Sequence, residues 1–284
     1  MSERILDVWD VASFDPELRD MLGDHADLLR NYHATSRENL IQRELSDRTG
    51  PYPHNPFAAD HIALAETLMT VMNQRIIRGW HYTRMTDVEV EQLRRDGVRL
   101  PSPASIRVRL DAQVAAGAFT AAEADALFAA SPFQRGQSEI RSGRFWMVSH
   151  PLEIGDGGVE LLLGNWGGEG VYFWLSDAAL KARVATLGRP RVVEVAAPLS
   201  KTPHGFSAAE AVMAAYARSL GCSVESKAFD LHVTDPLPAN AILAVHTAGE
   251  PPFADLARGY PQTYVDADAG RWDELSAEIE RRRR

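Results

Sequence analysis

Apolar positions in the first 77 residues recur at three- and four-residue intervals, the period of helices. Leu18, Met21, Leu22, Leu28 and Leu29 follow Pro16, which stands just after Asp15 as prolines do at helix starts. A second helix is predicted through Leu40 and Leu45. The stretch Asp47 to Pro56 is rich in Pro, Gly, Asp and Asn and reads as a loop. Beyond Phe57, the positions Ile62, Ala65, Leu68, Met69 and Met72 trace a strong helix that ends near Gly79.

The period then changes. Trp80 to Arg84 alternates bulky and polar residues as a short strand does, which puts His81 and Thr83 on one face. A helix follows, with Thr86 and Glu89 spaced as a capping box, Val90 and Leu93 in its apolar stripe and Gly97 at its C-terminal end. Pro101 and Pro103 break the chain, and a helical hairpin is predicted over Ala104 to Ala130, with a second capping box at Thr120 and Glu123. Such an insertion either lies over a site as a lid or simply packs on the sheet, the commoner fate.

From Arg144 onward, short apolar or β-branched runs bounded by Gly, Pro, Asp or Ser predict strands at Phe145–Val148, Val171–Leu175, Val192–Val195, Leu231–Val233 and Ile242–Val245. With the His81 strand this makes about six. Helices are expected between them over Ser176 to Leu187 and Ser207 to Leu220, the latter opened by a capping box of Ser207 and Glu210. Strands with helices inserted, without regular βαβ alternation, indicate an α+β fold. The chain divides into an N-terminal helical region (1–77), an α+β domain (78–249) and a C-terminal helical tail (250–284).

Composition narrows the function classes. The 284 residues are 45% hydrophobic and 24% charged, ordinary globular values. A formal net charge of -9 argues against a broad basic footprint for nucleic acid. The Arg281 to Arg284 cluster reads as the end of a solvated helix. A single cysteine, Cys222, excludes an internal disulfide framework and a multi-cysteine zinc site, and its place after a helix C-terminus suits an inert small hydrophobe. A basic leader and a membrane-length apolar run are both lacking, so a cytoplasmic protein with no membrane association is expected.

Several familiar chemistries lose their sequence support. GxxxxGK[ST], HExxH and GxSxG do not occur, and His54 and His61, seven apart with a helix start between them, do not form a convincing ligand pair, so no metal is expected. The glycine-rich run Leu163 to Trp174 lacks the strand-then-helix context of a dinucleotide fingerprint. It suits a tight turn or a close approach of backbone to a ligand, with Tyr172 either presented beyond it or buried as packing.

Three segments in order carry the functional reading: His81-Tyr82-Thr83 before a helix ending Asp-Gly-Val-Arg-Leu, then Gly170-Val-Tyr-Phe, then Leu231-His-Val-Thr-Asp-Pro-Leu-Pro-Ala-Asn-Ala-Ile242. Over roughly Arg78 to Val245 the chain resembles the ADP-ribosyltransferase superfamily, especially the branch holding the DNA-modifying toxins and the RNA 2'-phosphotransferases. The resemblance implies a split, mixed β-sheet whose cleft holds NAD as co-substrate. It implies that His81 hydrogen-bonds a ribose, that Tyr82 and Thr83 belong to the same binding strand, and that Tyr172, led by Gly170, stacks on the nicotinamide. Arg84 and Arg141 are candidates for the pyrophosphate, since a guanidinium fork matches phosphate oxygens.

The implied activity is cleavage of the nicotinamide-ribose bond with transfer of ADP-ribose to a macromolecule, protein or nucleic acid, as in a toxin or defence effector. Positive charge grows on the ribose, so a carboxylate beside it is stabilising. Where the family often has a glutamate, this chain has Asp230 and His232, which flank Leu231 and share a strand face, with Glu225 just before them. Asp230, His232 and Glu225 are the catalytic candidates, and the choice among them stays open. Glu169 and the Glu139/Arg141 pair rank lower, surface ion pairing being the usual fate of such residues. A non-catalytic module binding NAD, ADP-ribose or a protein, and an NAD-dependent RNA 2'-phosphotransferase, are the alternatives on the same scaffold.

Overall fold

A computed structural model describes residues 4–46, 50–134 and 136–284. Positions 47–49 of the predicted loop and the first three residues lie outside it.

Six strands form one sheet: β1 (Ile5–Leu6), β2 (Ile76–Met85), β3 (Phe145–Val148), β4 (Arg189–Pro198), β5 (Asp230–Val233) and β6 (Ile242–Thr247). Their order is β5-β3-β2-β4-β6, with β1 beside β2. β2 is the hub. Its β-branched and aromatic residues favour extended backbone, and all ten residues pair antiparallel with β4, from Ile76 opposite Pro198 to Met85 opposite Arg189. β4 therefore fills one edge of β2, and β1 and β3 share the other. β1 pairs in parallel, Ile5 with Ile76 and Leu6 with Ile77. β3 joins at one pair only, Trp80 with Val148. Beyond that pair the sheet divides into a β2-β4-β6 ladder and a β3-β5 ladder of four pairs.

The class and the strand number match the sequence reading, but one strand does not. Val171–Leu175 is not extended: Glu169–Tyr172 is a short helix, and the sixth strand is Ile5–Leu6. Two left-handed glycines, Gly167 (φ 81°) and Gly168 (φ 60°), turn the chain there, and Val171 and Leu175 drop into a helical core.

Thirteen helices surround the sheet among the described residues: α1 (Pro16–Asp24), α2 (Ala26–Leu45), α3 (Ala58–Met72), α4 (Asp87–Asp96), α5 (Pro103–Ala115), α6 (Ala121–Ala130), α7 (Ser138–Arg141), α8 (Glu160–Gly164), α9 (Glu169–Tyr172), α10 (Ala178–Thr186), α11 (Gly205–Ser219), α12 (Pro251–Ala254) and α13 (Arg271–Arg283). Their starts follow local chemistry. Asp15 caps α1 with Pro16 at its first turn, and Thr86 and Thr120 form capping boxes with Glu89 and Glu123. The box expected at Ser207 does not form, because α11 begins earlier, at Gly205, with His204 before it and no side-chain cap. Gly205 is needed there, since a Cβ would sit 2.1 Å from Asn73 Oδ1 on the turn after α3.

The main core joins the sheet to α1, α3 and α11 through Leu18, Leu22, Leu68, Met72, Val212 and Val195. The N-terminal helical region contributes Leu18, Leu22, Leu29, Leu64, Leu68 and Met72 to that core. The α5/α6 hairpin builds a second core with α9 and α10, around Leu110, Leu127, Trp166, Val171 and Val184. It stands as a helical lobe. The C-terminal helix α13 is pinned to α2 by Leu275 and Ile279 against Ile41.

Candidate functional site

At the point where the sheet divides, His81 fills the gap. Gly79 leaves room for Met147, whose Sδ would lie 2.9 Å from a Cβ at that position. One residue beyond the Trp80–Val148 pair, His81 Nδ1 lies 2.8 Å from the Trp146 carbonyl, so a side chain replaces the next ladder bond. A carbonyl only accepts, so Nδ1 carries the proton. Burial, with a smaller contribution from the Arg109 guanidinium, pushes the His81 pKa down to about 4, against the carbonyl bond, which raises it. The ring is neutral at pH 7, packed 4.3 Å from Phe145, and its Nε2 is an acceptor with no protein partner among the described residues.

The rest of the His81 strand is committed to the fold. Thr83 is buried. The Tyr82 hydroxyl donates to Leu152 O at 2.9 Å and accepts from Leu152 N at 2.6 Å, and burial raises its pKa. Arg84 donates to Leu187 O (2.8 Å), Gly188 O (3.0 Å) and Leu163 O (3.5 Å), which ties β2 to the approaches of α10 and β4. Three carbonyls occupy the guanidinium read as a pyrophosphate ligand. Gly170 has the same character, its carbonyl accepting from Ser131 Oγ at 2.7 Å, and a Cβ there would lie 3.1 Å from the Phe133 ring.

Tyr172 stands in the helical lobe. Its pKa is raised to about 12 by burial and by Glu169, and its hydroxyl has no protein partner among the described residues. Beside it, Arg141 pairs with Glu169, donates from Nε to Gln137 Oε1 at 2.9 Å and covers the Phe173 ring at 4.9 Å. The lobe is fastened to the sheet by Glu89, which sequence reasoning saw only as a cap. One carboxylate oxygen accepts from Arg109 Nε at 2.9 Å, and the other from Trp166 Nε1 at 2.8 Å and the Thr86 backbone at 2.8 Å. Burial raises the Glu89 pKa, but Arg109 and the backbone bond outweigh it and leave it lowered. No ring contact or hydrogen bond joins His81 to Tyr172 among the described residues.

The three catalytic candidates are not brought together with His81. Paired residues of an antiparallel ladder share a face. Asp230 pairs with Val148 and His232 with Trp146, which puts both on the Trp80 face, opposite the face of His81 and Phe145. Asp230 is exposed. His232 Nδ1 lies 3.0 Å from His204 Nε2 and its ring 4.4 Å from Trp146. Burial lowers both imidazole pKa values, with His204 adding to the shift of His232. Glu225 faces elsewhere, paired with Lys227 at 2.7 Å and Arg271 at 3.2 Å.

A second polar cluster was not legible in the sequence. Glu194, 1% exposed, pairs with Arg78 and accepts from His246 Nε2 at 2.6 Å and from the Tyr260 hydroxyl. Arg78 also holds Asp7 at 2.7 Å. These five residues come from five separate stretches of chain, and only strand register could have hinted at the pairing of Arg78 with Glu194. Burial raises the Glu194 pKa, but its bonds from His246 and Tyr260 and the charge of Arg78 leave it lowered. Among the described residues no group of three or more His, Cys, Asp or Glu is arranged to hold a metal, and no helix is long and apolar enough to cross a membrane.

Comparison with protein-family models, with curated proteins and with solved structures yields no match to this chain.

Proposed function

We propose that the chain binds NAD where the sheet divides and acts as an ADP-ribosyltransferase. The observation that carries this reading is His81: an imidazole locked by Trp146 O, held neutral, and offering Nε2 with no protein partner among the described residues. An acceptor fixed in that way suits a ribose hydroxyl. Phe145 supplies an apolar wall beside it, and the unpartnered Tyr172 phenol suits the nicotinamide end. The pyrophosphate half fits less well: Arg84 is consumed by carbonyls, and Arg141 must leave Glu169 to reach it.

NAD supplies the chemistry through its nicotinamide-ribose bond, whose cleavage builds positive charge on the ribose. With Asp230 exposed on the opposite face of the sheet, His232 bonded to His204 and Glu225 paired with Lys227, Glu169 is the carboxylate adjoining Tyr172 that could face that charge once Arg141 moves to phosphate. Incubation with NAD is expected to release nicotinamide and to leave an adduct of roughly 541 Da on the acceptor, the mass of the transferred group. His81→Ala is expected to weaken NAD binding by about tenfold or more, as loss of one buried hydrogen bond predicts. Absence of both nicotinamide release with any target and a thermal shift with NAD would sink the proposal.

A second reading is favoured by one observation, the placement of Asp230 and His232 across the sheet from His81. On this reading the protein binds NAD or ADP-ribose without turnover. ADP-ribose would then bind as tightly as NAD with no nicotinamide released, and Glu169→Gln would leave binding intact.

A further inference from the structure

A hollow of about 620 Å³ opens away from the sheet division, between the N-terminal segment at Trp9, the C-terminal end of α11 and the segment from Thr263 to Glu274. Its walls mix apolar side chains, Trp9, Val11, Val224 and Val265 among them, with the charged Arg218, Arg271 and Glu274. The size is that of a small-molecule site, and such sites combine apolar walls with a few placed polar groups.

Two polar groups in that wall have unfilled capacity. Arg218 spends one donor, Nη1 to Glu225 O at 3.1 Å, and has no carboxylate within ion-pair distance among the described residues. The acids around it are engaged. Asp268, within electrostatic reach of Arg218, takes Arg271 Nε at 3.2 Å and the Ser226 backbone N–H at 3.0 Å, and Glu225 takes Lys227 and Arg271. Burial lowers the Arg218 pKa, the sign of a cation short of compensation. Trp9 contributes its ring to the wall, and its indole N–H is buried without an acceptor among the described residues. Glu274 lies on the exposed rim and is the acid that opposes an anion there.

We propose that this hollow is a second binding site, for a small organic anion whose carboxylate or phosphate sits on Arg218 and whose apolar body lies along Trp9. It is independent of the NAD reading, since none of the residues assigned to NAD lines it.

Titration calorimetry of the full chain with benzoate, phenyl phosphate and the neutral benzyl alcohol tests it. At least one of the anions is expected to bind saturably and about tenfold or more tightly than the alcohol, the factor expected of one charge-assisted contact. Arg218→Met is expected to erase that tenfold difference. Ser219→Trp, on the exposed rim, fills the hollow without touching the core and is expected to abolish binding, so the test survives if the Arg218 variant does not fold. Glu274→Gln is expected to leave binding unchanged or tighter, and excess NAD to leave it unaffected. Lack of saturable binding by both anions, unaltered binding in either the Arg218 or the Ser219 variant, weaker binding in Glu274→Gln, or competition by NAD would each overturn the assignment.

Discussion

Glu194 is almost fully buried and yet carries three donors on one carboxylate, from Arg78, His246 and Tyr260. A charge removed from water costs several kcal/mol unless its partners replace the solvent, so the three contacts act as a unit. Asp7 completes the set from β1's neighbourhood, and burial lifts its pKa despite Arg78. Deleting one partner leaves the others with an unmatched charge. Arg78→Met is therefore expected to cost roughly 3–5 kcal/mol of stability, whereas Tyr260→Phe, which removes one neutral donor, is expected to cost about 1 kcal/mol. Urea unfolding of the two variants measures both. Equal, small losses in the two would show that Glu194 is not held as a compensated charge.

At the scale of elements, what the sequence disclosed follows from where the determining interactions lie. Thr86 and Thr120 cap their helices through residues three positions away, and both boxes form. The run Val171-Tyr-Phe-Trp-Leu has the composition of a strand, but strand formation needs a free neighbouring edge. With Val171 and Leu175 buried among α5, α6 and α10, packing overrides the local preference. β1 was invisible for the opposite reason: two residues carry no periodicity, and only Ile76 and Ile77, some seventy positions on, make them a strand. The candidate site shows the same division. His81 was legible from its strand and the helix after it, whereas Trp146 O, Arg109 and the Glu89–Trp166 bond depend on the tertiary fold.

Gly97 joins both kinds of determinant. It ends α4 with a positive φ of 77°, and a Cβ there would meet Leu237 O at 2.1 Å, where Val98 and Leu237 exchange backbone hydrogen bonds. Gly97→Ala is expected to destabilise by roughly 2–4 kcal/mol through strained backbone and a blocked approach. Denaturant unfolding is the measure, and a loss within about 0.5 kcal/mol, the ordinary surface range, would mean that the Val98–Leu237 bridge can shift at little cost.

For the whole molecule, the imidazoles set the response to acid. His33 and His61, whose rings meet edge-on at 5.6 Å between α2 and α3, are each held down to about 4, chiefly by burial, with His61 adding to the shift of His33 and Lys227 to both, and His81 likewise sits at about 4. His150, packed 5.3 Å from Trp9, is lowered to about 3 by burial and by Arg218. In the unfolded chain each would titrate near its ordinary value of about 6.5. A histidine whose folded pKa is depressed favours folding while it is neutral, so its contribution is fully present above about pH 6.5 and is lost as the pH falls toward 4. Between those limits the unfolded chain binds more protons than the fold, and stability rises with pH. Near pH 5 unfolding is expected to take up about three to four protons from these side chains, read from the slope of unfolding free energy against pH. His33→Phe and His61→Phe, which keep an aromatic ring in the α2–α3 contact and remove the proton site, are each expected to reduce that uptake by about one proton. A slope near zero across this window in the wild-type chain would mean that these imidazoles gain protons in the fold as readily as in the open chain, and the buried neutral cluster between α2 and α3 would have to be abandoned.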